Sequence, residues 1–385
     1  MNGLKASHVV AGFIATLIGY TSSVAIVYQA AQSAGATPEQ VNSWILMLGG
    51  GVGFLSMALS IWYKIPLLMA WSTPGAVVLI TSLPGVTMAE AIGAFLVSAV
   101  LIFLTGISGL FSRITELIPR SLAAALLAGV LLDFCLDAFS QFEHAPLLVG
   151  GMLLSYVFGI ILIPRYTIPI TFMIGVLIAG VLGLFKPELI QLSLAKPVWT
   201  TPEFTIDATF GIALPLFVIT MTTQNLPGVA VLRTLNYQVP VSNVISWSGL
   251  VTLILAPFGA FAINMAAITA SICASRESGE VPAHRYWAAV SGGMFYLMAA
   301  FGGVTIVSLL SASPSAFVLA LAGIALIGTL SNALGESFRA ENERLAVALT
   351  LLIAASGITI LGISSAFWSI VVGVIVWKLT RRAHA

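Results

Sequence analysis

Neutral polar side chains are the residues of this sequence best suited to bind an anion. Ser72 and Thr73 directly precede a Pro-Gly pair in an otherwise apolar stretch. Gln224 and Asn225 precede a Leu-Pro-Gly run, and Asn264 lies in a third interrupted stretch. Amides and hydroxyls are costly against lipid, so we expect these side chains to face protein or a cavity. There they could contact an anion without the repulsion of a carboxylate; the alternative is hydrogen bonding between helices.

Ionisable side chains offer one further candidate. Asp133 is the carboxyl that lies well inside an apolar run, about 20 Å along a helix that begins near Arg120. A carboxyl group inside the membrane is costly and usually has a function, so Asp133 is a candidate proton carrier. Asp137 follows one turn later on the same face. The alternative is that this helix end simply meets external water.

Enzyme chemistry and bound cofactors are not expected. The four His residues fall at the ends of apolar runs or in the tails, and no two have metal-ligand spacing. The sequence contains no GxxxxGK phosphate loop, no nucleophile elbow and no HExxH pair. We therefore expect no catalytic residue, no metal and no cofactor.

The composition is that of an integral membrane protein. Of the 385 residues, 59% are hydrophobic and 8% charged, and the mean hydropathy is +1.07, whereas soluble domains carry about 25% charged residues. Lipid is the expected environment, and no nucleic-acid partner is expected. Fourteen apolar runs are each long enough to cross a core of about 30 Å. Their approximate limits are 8–30, 42–62, 66–83, 88–111, 118–136, 146–163, 168–185, 206–224, 240–256, 259–275, 284–308, 314–333, 343–361 and 363–379.

The loops between these runs predict the orientation of the chain. Assigning alternate loops to opposite sides places only Lys186 and Lys196, of the fifteen Lys and Arg residues, on one side. Short loops rich in Lys and Arg stay in the cytoplasm. Both termini are therefore expected in the cytoplasm, with an even number of spans.

The longest polar connector, residues 186–207, divides the runs into seven and seven. Because seven is odd, two halves with a shared fold must lie in opposite orientations, which is the inverted-repeat plan of many secondary transporters. We therefore expect an all-α polytopic protein with one repeat over residues 1–190 and a second over residues 191–385.

The third and tenth runs are interrupted at similar places. Aligning Pro66 with Pro257 puts Thr73 opposite Asn264. In each run an extended-looking piece leads to an N-cap type of residue, and small residues that can begin a helix follow. The alternative for either run is a proline kink that neighbouring helices tolerate.

These two breaks predict an anion site. A helix that begins in mid-membrane leaves unpaired N–H groups and about half a positive charge at its end. Two such ends that face one cavity would bind an anion without Lys or Arg. The expected backbone donors lie near Gly75 and Ala266, which the same alignment matches.

Aromatic residues near the breaks are candidates to contact a ring. Tyr20 lies near the middle of the first run, and Phe261 lies beside the second break. Edge and offset contacts between rings contribute about 0.5–1.5 kcal/mol beyond area burial. The alternative for each is packing or contact with lipid. Trp44, in contrast, is expected in the interfacial belt.

Three motifs carry a resemblance to a known family. AWSTPGA at 70–76, ITMTTQNLPGVAVLR at 219–233 and FAINMAAITASICA at 261–274 resemble those of the benzoate:proton symporter (BenE-type) family, which is related to the uracil-permease-like transporters. The resemblance covers essentially the whole chain. It implies a core domain from spans 1–4 and 8–11, a gate domain from spans 5–7 and 12–14, short strands before the half-helices of spans 3 and 10, and an elevator-like motion.

The resemblance also implies a function. It implies proton-coupled uptake of benzoate or a similar small aromatic carboxylate across a bacterial inner membrane, and it is compatible with a homodimer. Uracil-type carriers have acidic residues in spans eight and ten, where this sequence has Thr223, Gln224, Asn225 and Asn264. The proton-carrying residue therefore stays open. A nucleobase or inorganic anion carried by the same fold, or a passive anion channel, are the alternatives.

Overall fold

The computed structural model describes residues 4–21, 23–111, 119–190, 192–276, 278–360 and 363–383. Most of these residues are helical. The elements of the first half are α1 (Ala6–Thr21), α2 (Val24–Ser33), α3 (Pro38–Tyr63), β1 (Met69–Trp71), α4 (Thr73–Ser82), α5 (Met88–Ser108), α6 (Arg120–His144), α7 (Pro146–Leu162) and α8 (Thr167–Val181).

The second half begins with the long helix α9 (Ile206–Arg233), which contains two π-helical turns at Thr209–Ala213 and Thr220–Asn225. Single π turns inside α-helices often occur at functional sites. The elements of this half are α9 (Ile206–Arg233), α10 (Val241–Leu255), β2 (Ile263–Met265), α11 (Ile268–Ala274), α12 (Tyr286–Phe301), α13 (Gly303–Ala312), α14 (Ser315–Ser337), α15 (Arg344–Ala355), β3 (Thr359–Ile360), β4 (Ile363–Ser364) and α16 (Ser365–Ala383).

Many of these helices are apolar enough to cross a membrane. Among the described residues, seven helices are long enough and apolar enough to span a membrane. An eighth span results if α12 and α13 are counted together across their 61° bend. Shorter apolar helices include α4, α7 and α8. The chain is thus a multi-pass membrane protein, while the count of fourteen spans stays a prediction.

A short antiparallel sheet joins the two halves at the interrupted runs. β1 leads directly into α4, whereas two residues separate β2 from α11. The register of the two strands is given by the pairs Met69–Met265, Ala70–Asn264 and Trp71–Ile263. Both runs are therefore broken, and neither continues as an uninterrupted helix.

Backbone N–H groups on the outer edges of this sheet donate hydrogen bonds to side chains of neighbouring helices. They need these partners because lipid offers none. The N–H of Met69 donates to Oγ of Ser56 on α3 at 2.9 Å. The N–H of Ile263 donates to Oγ1 of Thr252 on α10 at 3.2 Å. Each hydroxyl belongs to the helix directly before its strand, so the two halves stabilise their strands in the same way.

The helices pack in two groups. In the first, α3 and α1 pack against α12, and α5 packs against α10. In the second, α6 packs against α14 and α15, and α7 packs against α8. Glycines allow α3 and α12 to approach closely, since a Cβ atom on Gly53 or Gly293 would lie 2.7 Å from the carbonyl oxygen of the other.

The sequence alignment of the two breaks was wrong by three to four residues. β1 begins three residues after Pro66, but β2 begins six residues after Pro257. The difference arises because Pro257 lies in a 3-10 turn that ends at Gly259, where φ is +101° and L side chains are disfavoured. Thr73 and Asn264 are therefore not equivalent positions, and neither are Gly75 and Ala266.

Candidate functional site

The N-terminus of α4 is capped by Ser72, and Thr73 is the first helical residue. Oγ of Ser72 accepts the N–H of Gly75 at 3.0 Å, and the N–H of Ser72 donates to the carbonyl oxygen of Ala262 at 3.1 Å. Ser72 is fully buried and Thr73 is half-buried. The predicted donor at Gly75 is thus used within the cap itself, which fixes the start of α4 next to β2.

Asn264 lies in the middle of β2, where its strand partner is Ala70. It is fully buried, and Nδ2 donates to the carbonyl oxygen of Ala262 at 2.9 Å. Oδ1 is buried and has no hydrogen-bond partner among the described residues. The N–H of Ala266 donates to the carbonyl oxygen of Leu68 at 3.1 Å, so this predicted donor is also engaged.

Asn225 connects α9 to β2. Its Oδ1 accepts the N–H of Met265 at 3.0 Å, and its Nδ2 donates to Sδ of Met221 at 3.4 Å. Because the side chain is fully buried and both ends of the amide are engaged, Asn225 positions the strand. Gln224 is half-buried, and its Nε2 donates to the adjacent carbonyl oxygen of Thr223 at 2.9 Å.

Tyr20 belongs to a buried group of three aromatic rings around the end of β1. Its ring centroid lies 5.3 Å from that of Trp71 and 6.1 Å from that of Tyr296, and the centroids of Trp71 and Tyr296 are 5.7 Å apart. Nε1 of Trp71 donates to Oγ of Ser23 at 2.8 Å. The hydroxyl of Tyr20 is buried without a partner in the described part of the chain.

Phe261 belongs to a different aromatic group. Its ring centroid lies 5.9 Å from that of Trp44 and 5.4 Å from that of Phe95. Phe261 is fully buried, and these contacts favour a packing role. Trp44 was expected in the interfacial belt, but it is 2% exposed. It is buried because the backbone at Gly259 packs directly against its ring.

Thr220 is a candidate that the sequence reasoning missed. Thr222 and Thr223 donate to the carbonyl oxygens four residues earlier, at 2.6 and 2.8 Å. Thr220 is fully buried, and its Oγ1 has no partner among the residues that the structure describes. It lies about one turn after Leu216, whose Cδ1 would be 2.6 Å from a Cβ atom on Gly75. The run of threonines before a helix-breaking Pro-Gly pair was the available signal.

The amino-acid sequence matches a family model over nearly its whole length. The model, described as benzoate membrane transport protein, covers residues 2–379. The chain belongs to the benzoate membrane transport family. The family predicted from the three motifs is thereby confirmed.

Two curated relatives extend this family assignment. The chain is 43% identical over 370 residues to "Inner membrane protein YdcO" of Escherichia coli (strain K12), with 94% of this chain and 93% of the relative covered. It is 35% identical over 379 residues to "Benzoate membrane transport protein" of Acinetobacter baylyi (strain ATCC 33305 / BD413 / ADP1), with 98% and 96% covered. The protein is thus an inner-membrane transporter and not an enzyme, as predicted.

Solved structures show the same fold at low sequence identity. The transmembrane domain of a cyanobacterial bicarbonate transporter, BicA, superposes with a TM-score of 0.65 at 15% identity and covers 98% of both chains. SLC26A9 superposes with a TM-score of 0.62 at 12% identity, over 96% of this chain and 65% of that one. These similarities establish a membrane-transporter fold.

The candidate site of this family member is electrically neutral. β1, β2, α4 and α11 contain no Asp, Glu, Lys, Arg or His. Within the described residues, no group of three His, Cys, Asp or Glu residues could hold a metal ion. Asp133 belongs to α6, and its side chain lies outside the described part of the structure. Any anion here would be held by dipoles and neutral donors.

Proposed function

We propose that the protein is a secondary active transporter that takes up benzoate or a similar small aromatic carboxylate with a proton. The observation that carries this proposal is the buried β1–β2 pair at the start of two half-helices. Polar atoms of Asn264, Tyr20 and Thr220 near it have no hydrogen-bond partner among the described residues. Membership of the benzoate membrane transport family supports the choice of substrate.

The chemistry of the site fits an aromatic acid. The N-terminal end of α4 carries a partial positive charge, and no formal charge in the adjoining elements opposes an anionic or strongly polar group. The rings of Tyr20, Trp71 and Tyr296 offer edges and faces for an aromatic ring. Thr73 and Gln224, both half-buried, are further candidate contacts. Ser72, Asn225, Gly75, Ala266 and Phe261 support the site through the contacts described above.

The helix packing suggests how the substrate crosses. We assign spans 1–4 and 8–11, which include the first packing group, to a core domain that holds the site, and spans 5–7 and 12–14, which include the second, to a gate domain. The backbone contact between Gly53 and Gly293 supports a core that moves as a rigid body against the gate. Fourteen spans, cytoplasmic termini, an elevator-like motion and a homodimer complete this proposal.

Uptake into proteoliposomes tests the transport proposal. One proton moving with one monoanion is electroneutral, so an inward proton gradient should concentrate labelled benzoate about tenfold per pH unit, while membrane potential should contribute little. Neutral benzoic acid crosses lipid by itself and reaches the same final ratio without protein, so initial uptake rates are compared with those of protein-free vesicles. The proposal is wrong if the imposed gradient causes no faster initial uptake than in this control.

Two further measurements address the alternatives. Competition by benzoate, uracil and sulfate in the same vesicles distinguishes an aromatic acid from a nucleobase or an inorganic anion. Saturable counterflow, in which unlabelled substrate inside the vesicles drives labelled substrate in, is expected of a carrier and cannot be produced by a channel.

A further inference from the structure

The carboxamide of Asn264 presents an acceptor to the site, not a donor. Its Nδ2 is held by the carbonyl oxygen of Ala262 at 2.9 Å, which fixes the orientation of the amide. Oδ1 is therefore the atom left without a partner in the part of the chain that the structure describes, and it is fully buried. A buried amide oxygen needs an N–H or O–H donor. The geometry thus predicts that the bound substrate supplies one.

An ionised carboxylate cannot meet this requirement, because it has only acceptor oxygens. A protonated carboxylic acid has one O–H and one C=O, and it can donate and accept at once. Such a C=O needs a donor, and the buried hydroxyl of Tyr20, which has no partner within the described residues, is a donor of that kind. The hydroxyl of Thr220 offers a second donor of the same kind.

Titratable groups of the protein near the strands are few. The helices that pack against the strands or against α11 place their charged residues near their ends, and α10 has none. His8 lies about 18 Å along α1 from Tyr20, and Asp207 about 20 Å along α9 from Thr220. The titratable and charged residues of these elements are His8 and Tyr20 of α1, Glu39 and Tyr63 of α3, Asp207 and Arg233 of α9, Cys273 of α11, and Tyr286 and Tyr296 of α12.

The thiol and phenol groups among these residues are normally neutral at pH 7. No carboxyl group lies on β1, β2, α4 or α11. The carboxyls of Asp133 and Asp137 belong to α6, which packs against α4 and α9 but is not part of the sheet. They are the rival proton carriers, and they would require the site to take an anion.

We propose that the site binds its substrate as the neutral carboxylic acid, with Oδ1 of Asn264 accepting the acid O–H. This inference rests on the proposed function. The coupled proton then crosses on the substrate itself. It binds to the carboxylate in the external solution and dissociates from it in the cytoplasm, and no side chain changes its protonation state.

The proposal predicts how affinity changes with pH. A carboxyl with a pKa near 4 is protonated in about one molecule in 500 to 1,000 at pH 7. The apparent affinity for total benzoate should therefore fall about tenfold per pH unit between pH 6 and 8. Benzamide has a C=O and, in place of the acid O–H, an N–H, and it is neutral at all these pH values. Its affinity should stay constant.

Displacement of labelled benzoate from the purified protein tests the inference. We expect benzamide to compete at pH 6, 7 and 8, and benzenesulfonate, a permanent anion with the same aromatic ring, to fail at each pH. Competition by benzenesulfonate, or failure of benzamide to compete, would overturn the inference and place the proton on a protein group such as Asp133. If the wild type does not bind benzoate at all, the proposed function is wrong, and the inference that rests on it is wrong as well.

Matched variants locate the acceptor. Asn264→Leu should weaken benzamide binding at least tenfold. Asn42→Leu is the control, because Oδ1 of Asn42 is also buried without a partner among the described residues but lies about 21 Å along α3 from Ser56. Equal benzamide affinity in Asn264→Leu and Asn42→Leu would contradict the assignment. If Asn264→Leu does not fold, the displacement by benzamide and benzenesulfonate from the wild type still decides, because either failure of benzamide or success of benzenesulfonate contradicts the inference.

Discussion

Gly228 is the position where a single methyl group should most directly disturb the candidate site. A Cβ atom at Gly228 would lie 2.8 Å from Cβ of Met265, 2.9 Å from the Met265 carbonyl oxygen and 3.1 Å from the carbonyl oxygen of Ala266. Two of these atoms belong to the backbone that joins β2 to α11, so no flexible side chain can move aside. Gly228→Ala should therefore destabilise the protein by about 1–3 kcal/mol, as overpacking does in other cores.

Gly328→Ala is the matched control. Gly328 lies inside α14, and no described atom lies within 4 Å of a Cβ at that position. A glycine inside a helix is less favourable than alanine by about 0.5–1 kcal/mol, so this variant should be slightly more stable than the wild type. The same Gly→Ala change is thus expected to lower the stability of the protein at position 228 and to raise it slightly at position 328.

Thiol labelling during heating in detergent measures both variants. Cys135 and Cys273 are buried and should react with a thiol-specific fluorophore only as the protein unfolds. The unfolding midpoint of Gly228→Ala should fall and that of Gly328→Ala should stay or rise. Benzoate uptake at a temperature where both are folded should fall in Gly228→Ala alone. Equal midpoints and equal uptake would refute the close contact between α9 and the β2–α11 junction.

Three further variants test the roles assigned at the site. Asn225→Leu leaves the buried N–H of Met265 without an acceptor and should lower stability by about 1–3 kcal/mol in the thiol assay; Gln224→Leu, which loses only a local bond, should have a smaller effect. Ser72→Ala removes the side-chain cap of α4 and should lower stability by about 0.5–2 kcal/mol. Tyr20→Phe removes a buried hydroxyl that has no partner among the residues the structure describes, so stability should be kept or raised while benzoate affinity falls; lower stability with unchanged affinity would contradict its binding role.

The interruptions of the third and tenth runs were predictable from the sequence. Pro74 lacks a backbone N–H, and Pro and Gly residues are unfavourable inside a helix, so both breaks follow from local chemistry. The exact start of each element was less accessible. Three consecutive residues, Ser72, Thr73 and Pro74, could each begin a helix. Ser72 is the cap because its N–H donates to the carbonyl oxygen of Ala262, a contact between distant segments.

The second break shows why the finer geometry could not be predicted. A proline-anchored alignment assumes equal lengths, but the turn at Gly259 adds residues before β2. Asn225 was a candidate for contact with substrate because its amide is costly against lipid. Its partner Met265 is 40 residues away, and nothing local in the sequence indicates that this amide is already satisfied. Trp44 is buried for the same kind of reason, since its neighbours come from distant segments.

In the proposed site, side chains and not backbone N–H groups are left to bind the substrate. Half-helices were expected to bind an anion through their free N–H groups, but those of Gly75, Met265 and Ala266 are all engaged, because a sheet inside a membrane must satisfy its own backbone. The polar atoms left over are an amide oxygen on Asn264 and hydroxyls such as that of Tyr20. The proposed site, built this way, would select for hydrogen-bond pattern more than for charge. Proton coupling can then be a property of the bound acid, and it requires no carboxylate on the strands or half-helices.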